Sequence, residues 1–108
     1  MGKYQITATA DSQYRWVLKA SNGEILITSE TYTDFQMCLK GLRSSKESID
    51  LKNFAKELSS GGTHYFNQTA GNGQVLGTSE MYSSSTARDA GIESVSKKAP
   101  TAVIQDLT

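Results

Sequence analysis

The side chains with the chemistry of a binding site occur twice in this chain. Thr28-Ser29-Glu30-Thr31-Tyr32 and Thr78-Ser79-Glu80-Met81-Tyr82 each set a hydroxyl beside a carboxylate, with a phenol two residues on. A hydroxyl donates and accepts a hydrogen bond, and an ionised carboxylate accepts only, so the pair can hold a polar ligand near a helix N-terminus. Ser29, Glu30, Tyr32, Ser79, Glu80 and Tyr82 are therefore the candidate ligand-binding residues. A structural use weighs more heavily. Short hydroxyl side chains at strand ends bond loop amides, and tyrosines anchor loops.

No residue stands out as catalytic. His64 is the only histidine, and no serine and acid are fixed around it by spacing. Cys38 falls on the apolar side of a helical pattern, where a thiol acts as a small buried hydrophobe. Its partner fifty positions on is Arg88, so the thiol is not part of the repeated design. No His, Cys and carboxylate cluster has the spacing of a metal site. Asn22-Gly23 and Asn72-Gly73 join strand to strand, whereas a phosphate loop joins strand to helix. No cofactor is expected. Tyr14, Trp16, Tyr65 and Phe66 could form a base-stacking platform, but basic residues do not interleave them densely, and core packing fits better.

The elements that position these residues follow from a repeat. Ala20 to Ser44 aligns with Ala70 to Ser94 at an offset of 50, and ten of the twenty-five positions are identical. Average residue usage gives roughly one or two. Each copy starts with an alternating strand, Tyr4 to Thr9 or Phe54 to Leu58. A turn follows at Asp11-Ser12 or Gly61-Gly62, then a second strand, Tyr14 to Ala20 or His64 to Ala70. The Asn-Gly pairs suit type I′ hairpins with both residues at positive φ. The third strands are Glu24 to Thr28 and Gln74 to Thr78.

A helix closes each copy. Thr33 with Gln36 reads as a capping box, and Phe35, Cys38, Leu39 and Leu42 fall on one helical face. In the second copy Ser83 or Ser84 caps, Ala87, Gly91 and Val95 form a stripe flanked by Ile92, and Pro100 follows as a stop. Gly41 and Gly91 sit mid-helix at matched positions, each costing ~1 kcal/mol against Ala, which suggests close backbone packing. Val103, Ile104 and Leu107 read as a last strand that closes onto the first copy's sheet.

The totals bound the function. At 108 residues the chain fits one domain, 1–108, with repeats of about 2–51 and 52–108. With 37% apolar and 20% charged residues it can fold on its own core. Eleven basic and eleven acidic side chains cancel, which removes the electrostatic drive for non-specific nucleic-acid or membrane binding. One cysteine cannot form an internal disulfide. Met1-Gly2-Lys3-Tyr4 lacks the apolar stretch of a signal peptide, and Ile6 stands where a myristoylation signal wants Ser or Thr. The expected location is the cytoplasm.

The doubled run, Asn22 to Glu30 with Tyr32 and Asn72 to Tyr82 with Gly91-Ile92-Glu93-Ser94-Val95, resembles the YegP-like bacterial family over nearly the whole chain. The resemblance implies a domain of unknown function with no assigned active site. The expected fold is α+β: two tandem β3-αβ repeats form one pseudo-two-fold symmetric domain, with an antiparallel sheet, two helices packed on it and exchanged C-terminal strands. Met37, Cys38, Leu39 and Leu42-Arg43 depart from the family's small and polar helix residues. The functional expectation is a non-enzymatic binding or interaction module of unknown partner. The alternatives are a small-molecule enzyme using the Ser-Glu loops, and single-stranded nucleic-acid binding through the sheet. A protein or a small ligand is the expected partner class, nucleic acid is disfavoured, and a monomer is favoured over an obligate dimer.

Overall fold

Alternation along the strands carries the large apolar residues of both repeats to one side of a single sheet. The computed structural model describes residues 2–108; Met1 lies outside the described residues. The strands are β1 (Lys3–Ala8), β2 (Tyr14–Lys19), β3 (Ile25–Ser29), β4 (Phe54–Leu58), β5 (His64–Thr69), β6 (Val75–Ser79) and β7 (Val103–Asp106). Helix α1 (Phe35–Glu47) follows β3, and α2 (Ser85–Lys98) follows β6. The sheet order is β4-β5-β6-β3-β2-β1-β7. Thr28 lies opposite Thr78 where β3 meets β6. Those residues are related by the repeat offset, so the pseudo-two-fold axis passes between them.

All strand pairs are antiparallel except the last. The closing strand β7 lies parallel to β1, with Lys3 opposite Val103 and Ile6 opposite Asp106. The sheet is therefore mixed rather than purely antiparallel. A crossover through α2 and a short 3-10 turn, Ala99–Thr101, brings β7 to the far edge, and a connection of that length suits a parallel pair.

Tyr4, Ile6, Trp16, Leu18, Ile27 and Phe66 are buried beneath the helices with Leu42 and Val95. Tyr4 meets Trp16 edge-on with ring centroids 5.3 Å apart, and Phe54 meets Phe66 the same way at 5.7 Å, a geometry favoured by the ring quadrupoles. Each helix touches the second strand of its own repeat and the third strand of the other. The two helices share one face of the sheet and leave the other bare, an arrangement open to antiparallel sheets with a polar outer face.

The hairpin loops differ from the sequence expectation. Asn22 does not take a positive φ; only Gly23 does, at +86°. Ala20 N–H donates to Glu24 O at 2.9 Å and Gly23 N–H donates to Ala20 O at 2.9 Å. This is a three-residue loop, a type I turn followed by one left-handed residue. The reason lies in the Asn22 side chain, whose Oδ1 accepts from Glu24 N–H at 2.9 Å and so holds Asn22 as an Asx turn. The loop after β1 has the same plan, with Ser12 at φ +66° in the left-handed place.

Helix caps also shift. Asp34, not Thr33, caps α1, accepting from Met37 N–H at 2.8 Å; Asp is among the strongest N-cap residues. Ser84 caps α2 through Ala87 N–H at 3.1 Å.

A buried polar trio ties the repeats together. Ser45 Oγ donates to Gln68 Oε1 at 2.6 Å, which uses its one proton, so the Tyr4 hydroxyl must donate to Ser45 at 2.7 Å. Gln68 Nε2 then donates to Ser45 O at 2.9 Å and Ser48 O at 3.0 Å. These are carbonyls at the C-terminal end of α1, where helical partners run out. At the matched positions the trio becomes Phe54, Val95 and Leu18, all apolar. Ser45→Val alone strands a tyrosine hydroxyl and part of an amide, and is expected to cost about 1–3 kcal/mol in urea unfolding. The triple change Tyr4→Phe, Ser45→Val, Gln68→Leu removes every partner at once and is expected to recover most of that loss. Equal losses in the single and triple variants would refute this account of the trio.

Candidate ligand-binding site

The repeated Thr-Ser-Glu-x-Tyr segments run along the central strand pair and out of it. Ser29 Oγ accepts from Trp16 N–H at 2.9 Å and donates to Glu30 O at 2.7 Å. Ser79 Oγ does the same with Phe66 N–H at 2.9 Å and Glu80 O at 2.8 Å. Both serines are buried. Their hydroxyls complete the backbone bonding where each third strand leaves its neighbour, which is the local use expected of a short hydroxyl side chain.

Tyr32 and Tyr82 explain the mid-helix glycines. A Cβ on Gly41 would overlap the Tyr32 hydroxyl and stand 2.7 Å from its Cζ; one on Gly91 would overlap the Tyr82 hydroxyl and stand 2.8 Å from its Cζ. The close approach is thus between helix backbone and tyrosine ring. Trp16 stands in the first repeat where the second has Phe66. Phe66 stacks on Tyr82 at 6.3 Å between centroids, and the Tyr82 hydroxyl and the Trp16 indole N–H are both buried without a hydrogen-bond partner. Burial raises the pKa of both tyrosines above the usual phenol value.

Glu30 and Glu80 remain exposed. They do not converge. Each lies two residues beyond the Thr28 and Thr78 pair, in opposite directions, which separates their positions by about 13 Å at ~3.3 Å per residue. A paired-carboxylate site shared by the two loops, as the enzyme reading needs, is not assembled.

The remaining candidates occupy structural positions. Trp16 and Phe66 lie under the helices, Tyr14 packs edge-on against Phe35 at 5.9 Å, and Tyr65 alone of the four aromatics shares the bare face. The bare face carries Lys3, Arg15 and Lys19, with Lys3 directly opposite Lys19, but no stacking platform. Cys38 is buried, and burial raises its thiol from the ordinary 9.0 to about 11. His64 Nδ1 sits 3.5 Å from the Arg88 guanidinium. Among the described residues no three His, Cys, Asp or Glu side chains cluster as metal ligands, and no helix is long and apolar enough to cross a membrane.

A cleft of about 210 Å³ opens between α1 and the β5–β6 hairpin of the other repeat. Tyr32, Met37 and Leu76 supply its apolar surface; Lys40, Ser44, Asn72 and Gln74 supply polar groups. The backbone of Glu30 meets that of the lining residue Leu76, its N–H donating to Leu76 O at 3.3 Å. The matched positions in the second repeat hold Tyr82, Ala87, Ala90 and Glu24 in place of Tyr32, Met37, Lys40 and Gln74. The lining is otherwise repeated, but the cation is lost at position 90 and the neutral amide of Gln74 is replaced by the carboxylate of Glu24. Of the cleft residues the sequence singled out only Tyr32 as a binding candidate. Met37 was visible as a departure from the family pattern, whereas Lys40 and Gln74 meet only through the exchange of partners between repeats.

The comparisons with known proteins agree on one family. The chain matches a domain of unknown function, DUF1508, twice, over residues 10–50 and 59–106. It is 42% identical to a UPF0339 protein of Shewanella oneidensis, over 99% of this chain and 98% of that protein. It is 37% identical to the UPF0339 protein YegP of Escherichia coli K12, again over 99% and 98%. The solution NMR structure of the Shewanella protein superposes with a TM-score of 0.92 at 42% identity, covering 99% of this chain and 92% of that one. That of E. coli yegP, described as a protein of unknown function, gives 0.93 at 36% identity, covering 99% and 93%.

Two outcomes follow from the tyrosine and thiol positions. Gly41→Ala and Gly91→Ala are each expected to destabilise by about 1–3 kcal/mol, although Ala is the better helix former by ~1 kcal/mol. Tyr32→Phe, which deletes the nearest atom, should recover part of the loss at position 41; a neutral Gly41→Ala would refute the contact. The second outcome concerns alkali. Cys38 holds its proton more tightly folded than unfolded, so its contribution is fully present below the unfolded value of 9.0 and is lost as pH rises towards about 11. The raised tyrosines act in the same direction. The urea midpoint should fall between pH 8 and pH 10.5 in the native chain, and fall less in Cys38→Ala.

Proposed function

The chain belongs to the DUF1508 family, whose function is unknown, and from that premise we propose that it is a binding module without catalytic chemistry, working as a cytoplasmic monomer through the cleft beneath Tyr32. The cleft carries the reading. It is concave, part apolar and part polar, and built from both repeats, which is the usual make-up of a small-ligand site. The hydroxyls that could act as nucleophiles, on Ser29 and Ser79, already donate and accept within the backbone. Cys38 is buried with its thiol held protonated.

Size and lining point to the ligand class. About 210 Å³ is below the ~300–1,000 Å³ of sites for drug-sized ligands and cofactors. It suits an amino-acid side chain or a fragment of similar size. Met37 and Leu76 would take its apolar part. Among the described residues Lys40 is the only cation in the lining, which Gln74 and Asn72 share, so the polar end should be a carboxylate or another oxygen acceptor. Ser29 and Tyr32 support the cleft from behind. Ser79 and Tyr82 play the same parts in the second repeat, where Glu24 would favour a cationic ligand instead.

The test is an amide NMR titration with capped dipeptides carrying Glu, Gln or Lys side chains. Saturable shifts at Met37, Lys40, Ser44, Gln74 and Leu76, largest with the Glu peptide, are expected. Lys40→Ala should weaken the Glu peptide by about two- to fivefold, the scale of an exposed ion pair, and leave the Gln peptide unchanged. Shifts that avoid the cleft, or a Lys peptide that binds it best, would refute the assignment.

A further inference from the structure

We propose that the outer edge of β4 is a docking edge for an extended, acidic segment of another protein, which pairs with it in parallel as β7 pairs with β1. The proposal rests on the sheet edge and is independent of the cleft.

The pseudo-two-fold axis exchanges β3 with β6, β2 with β5 and β1 with β4. It leaves β7 without a mate. The berth beside β1 is filled, and among the described residues its counterpart beside β4 is empty. The repeat explains the vacancy: the segment after α1 must serve as the first strand of the second copy, so no strand is left to line it. Beside β1, Val103 N–H donates to Gly2 O at 3.3 Å and Leu107 N–H donates to Ile6 O at 2.9 Å. Of the carbonyls at the matching positions, that of Lys56 lies on the free edge of β4, whereas that of Lys52 lies in the 3-10 turn Leu51–Asn53 that leads into the strand. Unpaired edge groups of this kind are a template for strand addition.

Side chains at the edge set the partner's chemistry. Leu51 and Leu58 flank it at 78% and 62% exposure. A cavity of about 180 Å³ opens beside Leu51, lined also by Lys56, Asp89 and Ile92. Lys56 and Asp89 stand where the first repeat has Ile6 and Leu39. Asp89 is shared: Lys56 Nζ is 3.3 Å from it and the Arg88 guanidinium 3.1 Å. Two cations on one carboxylate leave an excess positive charge at the berth, and an incoming carboxylate beside Lys56 would balance it. The same charge selects against a second copy of β4. Antiparallel pairing centred on position 56 would set Lys56 opposite Lys56, and like charges directly opposite destabilise a sheet.

The template strand gives the order of residues. Ile104 lies beside Tyr4 and Asp106 beside Ile6, so the docked segment places an apolar residue beside Phe54 and an acid beside Lys56. The chain's own tail has that order and is a ready probe. A capped peptide of the sequence Thr101–Thr108 is titrated into the isotope-labelled full chain. Saturable shifts centred on Phe54, Lys56 and Leu58 are expected, with a Kd below about 1 mM. Lys56→Glu should lose this binding, and a peptide with Lys in place of its Asp should bind Lys56→Glu and not the native chain. Well-dispersed spectra of the variant will show that it is folded. Three results would overturn the proposal: no saturable shift on β4, shifts on β1 with displacement of the resident β7, or binding at β4 indifferent to both charge reversals.

Discussion

Pairing of β3 with β6 across the pseudo-two-fold axis is the constraint on which the rest of the molecule depends. A single repeat is a three-stranded sheet and one helix. The helix covers its own second strand and the other repeat's third strand, so it has no complete surface to rest on until the two copies join. Even the joint is shaped for close contact. A Cβ on Gly77 would stand 2.6 Å from Ile27 Cγ2 and 2.8 Å from Thr28 O, so the large residue of one repeat fills the space left by the small residue of the other. The core is therefore a property of the pair, as in repeat proteins whose single units cannot bury their apolar face.

Symmetry of the backbone has not kept the side chains symmetric. The polar trio of Tyr4, Ser45 and Gln68 faces an apolar trio at the matched places. Tyr14 and Phe35 meet edge-on where the second copy has His64 and Ser85, with the Arg88 guanidinium beside the imidazole. The differences are not scattered. The first repeat is apolar where β7 covers it, and the second is charged where its edge meets water. Once the strand that covers one edge has no counterpart at the other, an Ile at position 56 would be an exposed hydrophobe on a free edge, and a charge there keeps the edge from sticking indiscriminately.

Much of this was legible in the sequence. The repeat offset gave the copies, the alternation in Tyr4 and Ile6 and in Trp16 and Leu18 gave the core face, and the apolar tail gave the closing strand. What escaped was set by contacts between residues distant in the chain. Gly41 announced a close approach but not its partner, because Tyr32 reaches it only after the loop folds back. Asn22-Gly23 suggested two left-handed residues. The side-chain bond from Asn22 to the next strand, a competition invisible to dipeptide preference, selects a longer loop with one. Thr33 lost the cap to Asp34 because the helix begins one residue later. The cleft was the least legible feature, since Lys40 and Gln74 come from different repeats and neither belongs to the repeated motif.

The parallel pairing of β7 with β1 also sets a timetable. Lys3 lies opposite Val103, its partner a hundred residues further along the chain. Contacts of such sequence separation are slow to form because the loop between them must be ordered first. On the ribosome, both hairpins and both helices can assemble while β1 still presents an unsatisfied outer edge, and only docking of β7 removes it. The open edge, and the risk of aggregation that goes with it, thus persists until nearly all of the core is already in place.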